Sequence, residues 1–209
     1  MKHLDNLVKE YIQEQGIDKR LYNAIVDTAK MLFVLFMNAD TNKVQQNLHQ
    51  VLDGEDYEFI CNNQENQERL KRLFAVLDTV YLQFKVLHLS LWIIHQDKLF
   101  CLLSFGEKTQ TSLDIICEHK HLVARTANSA WFNLVSHSQE WVDCQELSCD
   151  FYKQDKMLWA FPICKPTGAV MGVLYGEDKP DDDFTEEQQI WYTALTVILS
   201  EILQNLLEK

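Results

Sequence analysis

An α+β fold is predicted by three features of the 209-residue sequence. Two stretches alternate with period two and fold back on themselves across short turns, which marks antiparallel hairpins. Long segments of helical period flank those hairpins. Residues 1–61 carry helical patterning with one short extended candidate, so the chain divides into a helical N-terminal region, 1–61, and an α+β domain, 62–209.

Taken in order, Leu4, Leu7, Val8, Tyr11 and Ile12 fall on one helical face. Gly16 is a suitable stop and Asp18 a suitable cap for the helix that follows, over about 19–37. The first half of that helix presents Leu21, Tyr22, Ile25 and Ala29 on one side. Its second half, 31–37, is apolar all round and needs cover from a helical subdomain or a partner chain. Residues 38–42 break the pattern. A short helix is expected over 43–52, a turn over 53–56 and an extended piece over 57–61.

Polar residues 62–68 mark the boundary. Beyond them Leu70, Leu73, Phe74, Leu77, Val80, Tyr81 and Phe84 make one apolar helix face. Over 86–94 the period changes to two. Leu87, Leu89, Leu91 and Ile93 lie on one face, and His88, Ser90, Trp92 and Ile94 on the other. Residues 95–98 turn the chain, and 99–105 return as the hairpin partner, ending at Gly106. Residues 107–111 are polar loop. The stretch 113–131 reads as helix, with Ile115, Ile116 and Cys117 also able to extend. Residues 141–144 are a short strand candidate, and 145–156 a polar connection.

The second hairpin pairs 158–164 with 169–176 across Lys165-Pro166-Thr167-Gly168. Both faces of each strand are apolar, as in central strands covered on two sides. Pro162 donates no ladder hydrogen bond, so a bulge or gap is expected there, and Gly172 suggests a close approach to the backbone. An acidic loop, 177–183, leads to a closing helix over 184–207. Thr185 suits its N-cap, and Glu186 and Glu187 complement its positive start. The helix carries a stripe of Trp191, Leu195, Ile198, Ile202 and Leu206, flanked by Ile190, Ala194 and Val197 and by Leu199, Leu203 and Leu207. That is more apolar surface than one sheet face needs, which implies a second helix or a second subunit.

The formal charge of −12 argues against nucleic acid, whose binders need a basic face, and against anionic membranes. Residues 1–15 are charged and amphipathic, unlike a secretory signal. The longest unbroken apolar run, 31–37, is far short of the ~20 residues that span a bilayer. The six cysteines, Cys61, Cys101, Cys117, Cys144, Cys149 and Cys164, lie at irregular spacings without a C-x-x-C pair. They read as reduced thiols in a cytoplasmic protein, and no Cys/His set has structural zinc spacing. The carboxylates cluster in solvated loops, and no glycine-rich phosphate loop is present.

The order helix, hairpin, middle helix with a short strand, hairpin, long closing helix resembles a GAF domain over about 64–209. The resemblance is carried by Met157-Leu158-Trp159-Ala160-Phe161-Pro162-Ile163, by Gly168-Ala169-Val170-Met171-Gly172-Val173-Leu174-Tyr175, and by Asp183-Phe184-Thr185-Glu186-Glu187. These are similar to the family's apolar strand ending in Pro-hydrophobic, its "viGvL"-like strand and its "F-(T/S)-x-E"-like helix start. The resemblance implies a central antiparallel sheet of five to six strands with helices on both faces. The first and last helices would pack together on one face, and a ligand pocket would lie on the other. It also implies a bacterial, non-catalytic sensory or regulatory protein, homodimeric through its terminal helices.

The expected site lies on the more polar face of the first strand, at His88, Ser90 and Trp92. Trp131 and Trp141 come from the covering segment, and Phe161 from the second hairpin. Aromatics with a few polar groups suit a small-molecule ligand, whose identity the residues leave open, as they do any cofactor. The alternative is a structural dimerisation or protein-interaction module whose aromatics are core packing. A further alternative is the GAF-like branch that reduces free methionine sulfoxide with cysteines. Cys149 stands near one catalytic position of that branch, but Ala124 and Arg125 replace the Cys and Gly of its "V-C-G-T-A"-like motif. The N-K…F…D-E set of cyclic-nucleotide-binding relatives is echoed only by Glu177-Asp178-Lys179 and Phe184. For tetrapyrrole or haem, His88, His119, His121 and Cys117 are available, but Glu118-His119-Lys120-His121 reads as exposed and no bilin-attachment motif appears.

Overall fold

The computed structural model describes residues 2–39, 60, 63–106, 112–114 and 119–207. The expectations for 43–52, 53–56, 57–61 (Ile60 apart), 107–111 and 115–117 lie outside these residues. In chain order the elements are α1 (Lys2–Glu14), a 3-10 turn (Lys19–Leu21), α2 (Tyr22–Asn38), α3 (Gln64–Phe84), β1 (His88–His95), β2 (Lys98–Gly106) and β3 (Ser112–Asp114). There follow α4 (Leu122–Ser129), β4 (Asn133–Val135), α5 (Ser138–Asp143), β5 (Met157–Cys164), β6 (Val170–Asp178) and α6 (Glu186–Leu207). They form two compact units, Met1–Phe84 with Glu186–Lys209, and Lys85–Thr185. The polar stretch at 62–68 falls inside the first unit, because the closing helix packs with the N-terminal helices.

In the helical unit α1 buries Leu4, Val8, Tyr11 and Ile12 as its period requires. Gly16 follows in the left-handed region (φ +65°), and the Ile17 amide bonds back to the Ile12 carbonyl. Asp18 caps the next turn by accepting from the Arg20 amide at 2.9 Å. α6 packs against α1, α2 and α3. Its burial runs round the helix, from Tyr192 through Leu195, Ile198 and Leu199 to Leu206. Its broad apolar surface is therefore covered by helices of its own chain. Among the described residues α6 is also long and apolar enough to cross a membrane, but 61% of its most apolar window is buried. The apolar run of α2 is covered in part. Leu32 and Phe36 are buried, while Met31, Val34 and Met37 are 48%, 59% and 50% exposed.

The second unit is built on a six-stranded antiparallel sheet of order β3-β2-β1-β6-β5-β4. The β1–β2 hairpin turns at Gln96 and Asp97, both at positive φ, as a two-residue loop with right-handed strand twist demands. The register steps between Leu91 and Trp92. Leu91 faces Leu103, Trp92 faces Cys101, and Leu102 is the extra residue of the bulge. β5 is central, between β4 and β6. β4 pairs only with Leu158, Trp159 and Ala160, so the ladder on that side is open at Pro162, which resolves the expected conflict. A close backbone approach occurs at Gly176, opposite Trp159. A Cβ there would lie 1.9 Å from the Trp159 ring.

Two local expectations are corrected, and one strand was not expected. Residues 113–131 are not one helix. Leu113 belongs to β3, paired with Leu99, and the helix begins at Leu122. Residues 141–144 are not a strand, because 138–143 form α5. Its start is held by the Ser138 amide on the Lys156 carbonyl, and its turn by Gln139 on Asp143. Asn133–Val135, which lacks legible alternation at three residues, is the edge strand β4.

Candidate ligand site

Antiparallel pairing sets the site. His88 lies opposite Glu177, Ser90 opposite Tyr175 and Trp92 opposite Val173. Since strand side chains alternate, these six share one face, continued by Ala160 opposite Tyr175 and by Leu158 opposite Glu177. α4 packs over β5 and β6. The core on this face comprises Trp92, Leu99, Cys101 and Leu113 from one half of the sheet. Leu158, Ala160, Val173 and Tyr175 come from the other, beneath Leu122, Val123, Ala124, Leu147 and Tyr152.

Within that apolar surround sits a buried polar layer. His88 and Ser90 are almost fully buried, and the Trp92 indole Nε1 donates to Ser90 Oγ at 2.9 Å. The His88 ring lies 5.9 Å from the Tyr175 ring. Tyr175 donates its hydroxyl to Glu177 Oε1 at 2.7 Å, and Lys156 Nζ pairs with Glu177 Oε2 at 2.5 Å. The Lys156 and Glu177 side chains are only 15% and 16% exposed, so this pair is not screened as a surface pair would be.

The covering segment, residues 119–156, adds His121, Phe151 and Tyr152. The His121 ring is boxed by Phe151 at 4.9 Å, Tyr152 at 5.6 Å, Tyr175 at 6.0 Å and Trp92 at 6.1 Å. Its Nδ1 accepts from the Val123 amide at 3.2 Å, and the Tyr152 hydroxyl accepts from the Leu122 amide at 2.9 Å. Two of the free N–H groups at the start of α4 are thus capped from within the chain. Burial, with the neighbouring His88 adding to it, pushes the His121 pKa down to about 3, so the ring is neutral. Because Nδ1 is the acceptor, the ring proton sits on Nε2. Burial also raises Tyr152 and Tyr175, whose hydroxyls interact, so both remain protonated. The arrangement can offer neutral donors and acceptors together with one ion pair.

Of the residues expected at the site, His88, Ser90 and Trp92 stand together. Trp141, on α5, packs half-buried against the core of the same face, with the Arg125 guanidinium 5.2 Å from its ring centroid. Phe161 points to the opposite face, stacked on Phe132 at 4.3 Å and close to Trp159 and Phe184. Trp131 follows α4 and is 58% exposed. His121, Tyr152, Tyr175, Glu177 and Lys156 join the layer without having been expected there. His121 corrects the reading of 118–121 as exposed. Ala124 is fully buried in α4. Cys144 and Cys149 are exposed free thiols, and Cys101 is a buried one whose pKa burial pushes up to about 12, leaving it a poor nucleophile. No group of three or more His, Cys, Asp or Glu side chains among the described residues is placed to hold a metal ion.

No family model matches the sequence, and no curated protein matches it. Solved structures do. The GAF domain of an Acinetobacter phosphoenolpyruvate-protein phosphotransferase aligns with TM-score 0.57 at 16% identity, covering 86% of this chain and 92% of that one. The corresponding GAF domain from Coxiella burnetii aligns with TM-score 0.55 at 13% identity, covering 81% and 95%. A free methionine-R-sulfoxide reductase from Neisseria meningitidis, in complex with its substrate, aligns with TM-score 0.53 at 14% identity, covering 78% and 88%. Such identities establish the fold and leave activity open. The 86% coverage is more than residues 62–209 could supply, so part of the N-terminal helical region belongs to the shared architecture. The chain has a GAF-like fold.

Proposed function

We propose that this protein is a non-catalytic regulatory domain that binds a small polar molecule on the His88 face of its sheet, beneath residues 119–156. The observation that carries this reading is the buried polar layer. His88, Ser90, His121, Tyr152, Tyr175 and the Lys156–Glu177 pair converge on one patch of an otherwise apolar core. Burying such groups costs free energy that an all-apolar core avoids, so a core serving cohesion alone has no need of them. Neutral donors and acceptors among aromatic walls suit a polar, largely uncharged ligand. Binding would reposition the covering segment, and a protein partner would read the change in a cytoplasmic setting.

The test is a thermal-shift panel of amino acids, nucleobases and nucleosides, repeated on Tyr175→Phe. A specific member of the panel should raise Tm in the wild type and lose most of that effect in the variant. A flat panel, together with native mass spectrometry showing no retained small molecule, would sink the proposal.

The packing of four rings about His121 favours a second reading, in which side chains fill this face and the domain is a structural interaction module. The reductase activity named for the neisserial neighbour has less support, since a thiol mechanism needs an attacking and a resolving cysteine. Ala124 supplies no thiol at the motif position, and Cys101 is held protonated. We also propose a homodimer through the terminal helices.

A further inference from the structure

The helical unit contains a groove of about 390 Å³ lined by Lys9, Ile12, Gln13, Lys19 and Tyr22. That volume is in the range of small-ligand sites. It is formed by the second half of α1, the 3-10 turn and the first residue of α2. Ile12 is buried at its floor and Tyr22 half-buried at its side, while Lys9, Gln13 and Lys19 are exposed at its rim.

The charge balance around the groove runs against that of the protein. The chain carries −12 overall, yet two ammonium groups converge here and neither has an acid partner among the described residues. The acids nearest to them in sequence are engaged or turned away. Asp18 is held by the Arg20 amide, Nε and Nη2. Asp5 pairs with Lys30 at 3.2 Å, and its carbonyl accepts from the Tyr22 hydroxyl at 3.3 Å. Glu10 and Glu14 follow Lys9 and Gln13 by one residue each, which places them about 100° round α1 from the groove-facing pair. An apolar floor with two cations that have no acid partner among the described residues, and a primary amide at its rim, is complementary to a molecule with an apolar body and one anionic head.

We propose that this groove binds a small amphipathic carboxylate. Its chain would lie over Ile12 and the Tyr22 ring, and its carboxylate would lie between Lys9 and Lys19 with the Gln13 amide as an added donor. The site is separate from the His88 face, and its failure would leave that reading untouched.

The probe is sodium octanoate below its micellar concentration, titrated into the full chain and followed by amide chemical shifts. Saturable shifts at Ile12, Gln13, Lys19 and Tyr22 are expected, weakening as salt is added. Octan-1-ol, which has the same chain and no charge, should bind about tenfold more weakly, as should octanoate to the variant Lys9→Gln/Lys19→Gln, each losing charge-assisted contacts. Both lysines are exposed and have no acid partner among the described residues, so the variant should keep the wild-type circular dichroism. Three binding outcomes overturn the proposal. They are shifts that never saturate, equal binding of octan-1-ol, and wild-type affinity in the double variant. Sedimentation showing that the groove closes against a second copy, with octanoate unable to compete, would assign it to self-association and overturn it as well.

Discussion

His121 has the strongest consequence of any single residue on the candidate face. In the folded chain its pKa is lowered from 6.5 to about 3, first by burial and then by His88. The groups packed about it, Trp92, Phe151, Tyr152 and Tyr175, supply no negative charge to offset protonation. A protonated Nδ1 also cannot accept from Val123, so the cap on α4 would be lost. For a group with a depressed histidine pKa, the unfolded chain binds the proton first. Stability is therefore fully present above pH 6.5 and is lost as pH falls toward 3. Urea unfolding of the wild type relative to His121→Gln should show that difference shrinking by about 1.4 kcal/mol per pH unit below the unfolded value. A constant difference from about pH 7 to about pH 4.5 would contradict a buried neutral ring. His137 acts in the opposite sense. Its hydrogen bond to Asp155 raises its pKa, so its contribution is full below 6.5 and fades as pH rises through the folded value. Keeping His137 in both proteins removes it from the comparison. The role of His121 was not legible in the sequence. It stands in a run of charged and imidazole side chains, and only the return of residues 151–152 and the β6 strand encloses it. Tyr175 was hidden differently. Its alternation was visible, but which face it shares depends on the β1–β6 register, and that pairing joins residues about eighty or more positions apart.

At the scale of elements, the second hairpin shows what pattern reading can and cannot fix. The turn at Lys165-Pro166-Thr167-Gly168 closes as expected. Gly168 sits at φ +84° and donates to the Lys165 carbonyl, and the Lys165 amide donates to the Ala169 carbonyl. The alternation of β5 separates Trp159, Phe161 and Ile163 from Leu158, Ala160 and Pro162, but it does not say which set faces His88. Cross-strand register decides that, and it sends Phe161 away from the site. The short elements α5 and β4 were illegible because six and three residues hold too little period to distinguish helix from strand. A tight cross-strand fit in the hairpin is Trp159 over Gly176. The Trp159 ring is fully buried and meets Phe161 at 6.1 Å and Phe184 at 6.3 Å, so it has little freedom to swing aside. Gly176→Ala should therefore destabilise the protein by about 1–3 kcal/mol through overpacking, measured as a drop in Tm. Pairing it with Trp159→Leu should give a double variant less destabilised than the sum of the two, because the clash is then removed. Strict additivity would mean that the ring and the glycine are not coupled.

At the scale of the whole molecule, the GAF-like order of elements was readable because long helices and paired hairpins repeat their period enough times to be unambiguous. The source of cover for the closing helix was not readable. Its excess apolar surface pointed equally to a second helix and to a second subunit, and helices α1, α2 and α3 of the same chain take it up. Among the described residues α6 keeps no large apolar side chain exposed, so a self-contact would draw on other helices than the closing one. Met31, Val34 and Met37 recur every third residue on one side of α2 and keep about half of their surface exposed, as does Leu82 of α3. If these residues carry the self-contact, sedimentation equilibrium should give a dimer for the wild type. Val34→Glu should give a monomer with unchanged circular dichroism, since an exposed position on a helix tolerates the charge and a buried apolar contact between subunits does not. A monomeric wild type at about 100 µM would remove the dimer, because the affinity would then be weaker than that concentration. A dimer that persists in Val34→Glu would move the contact off this face of α2.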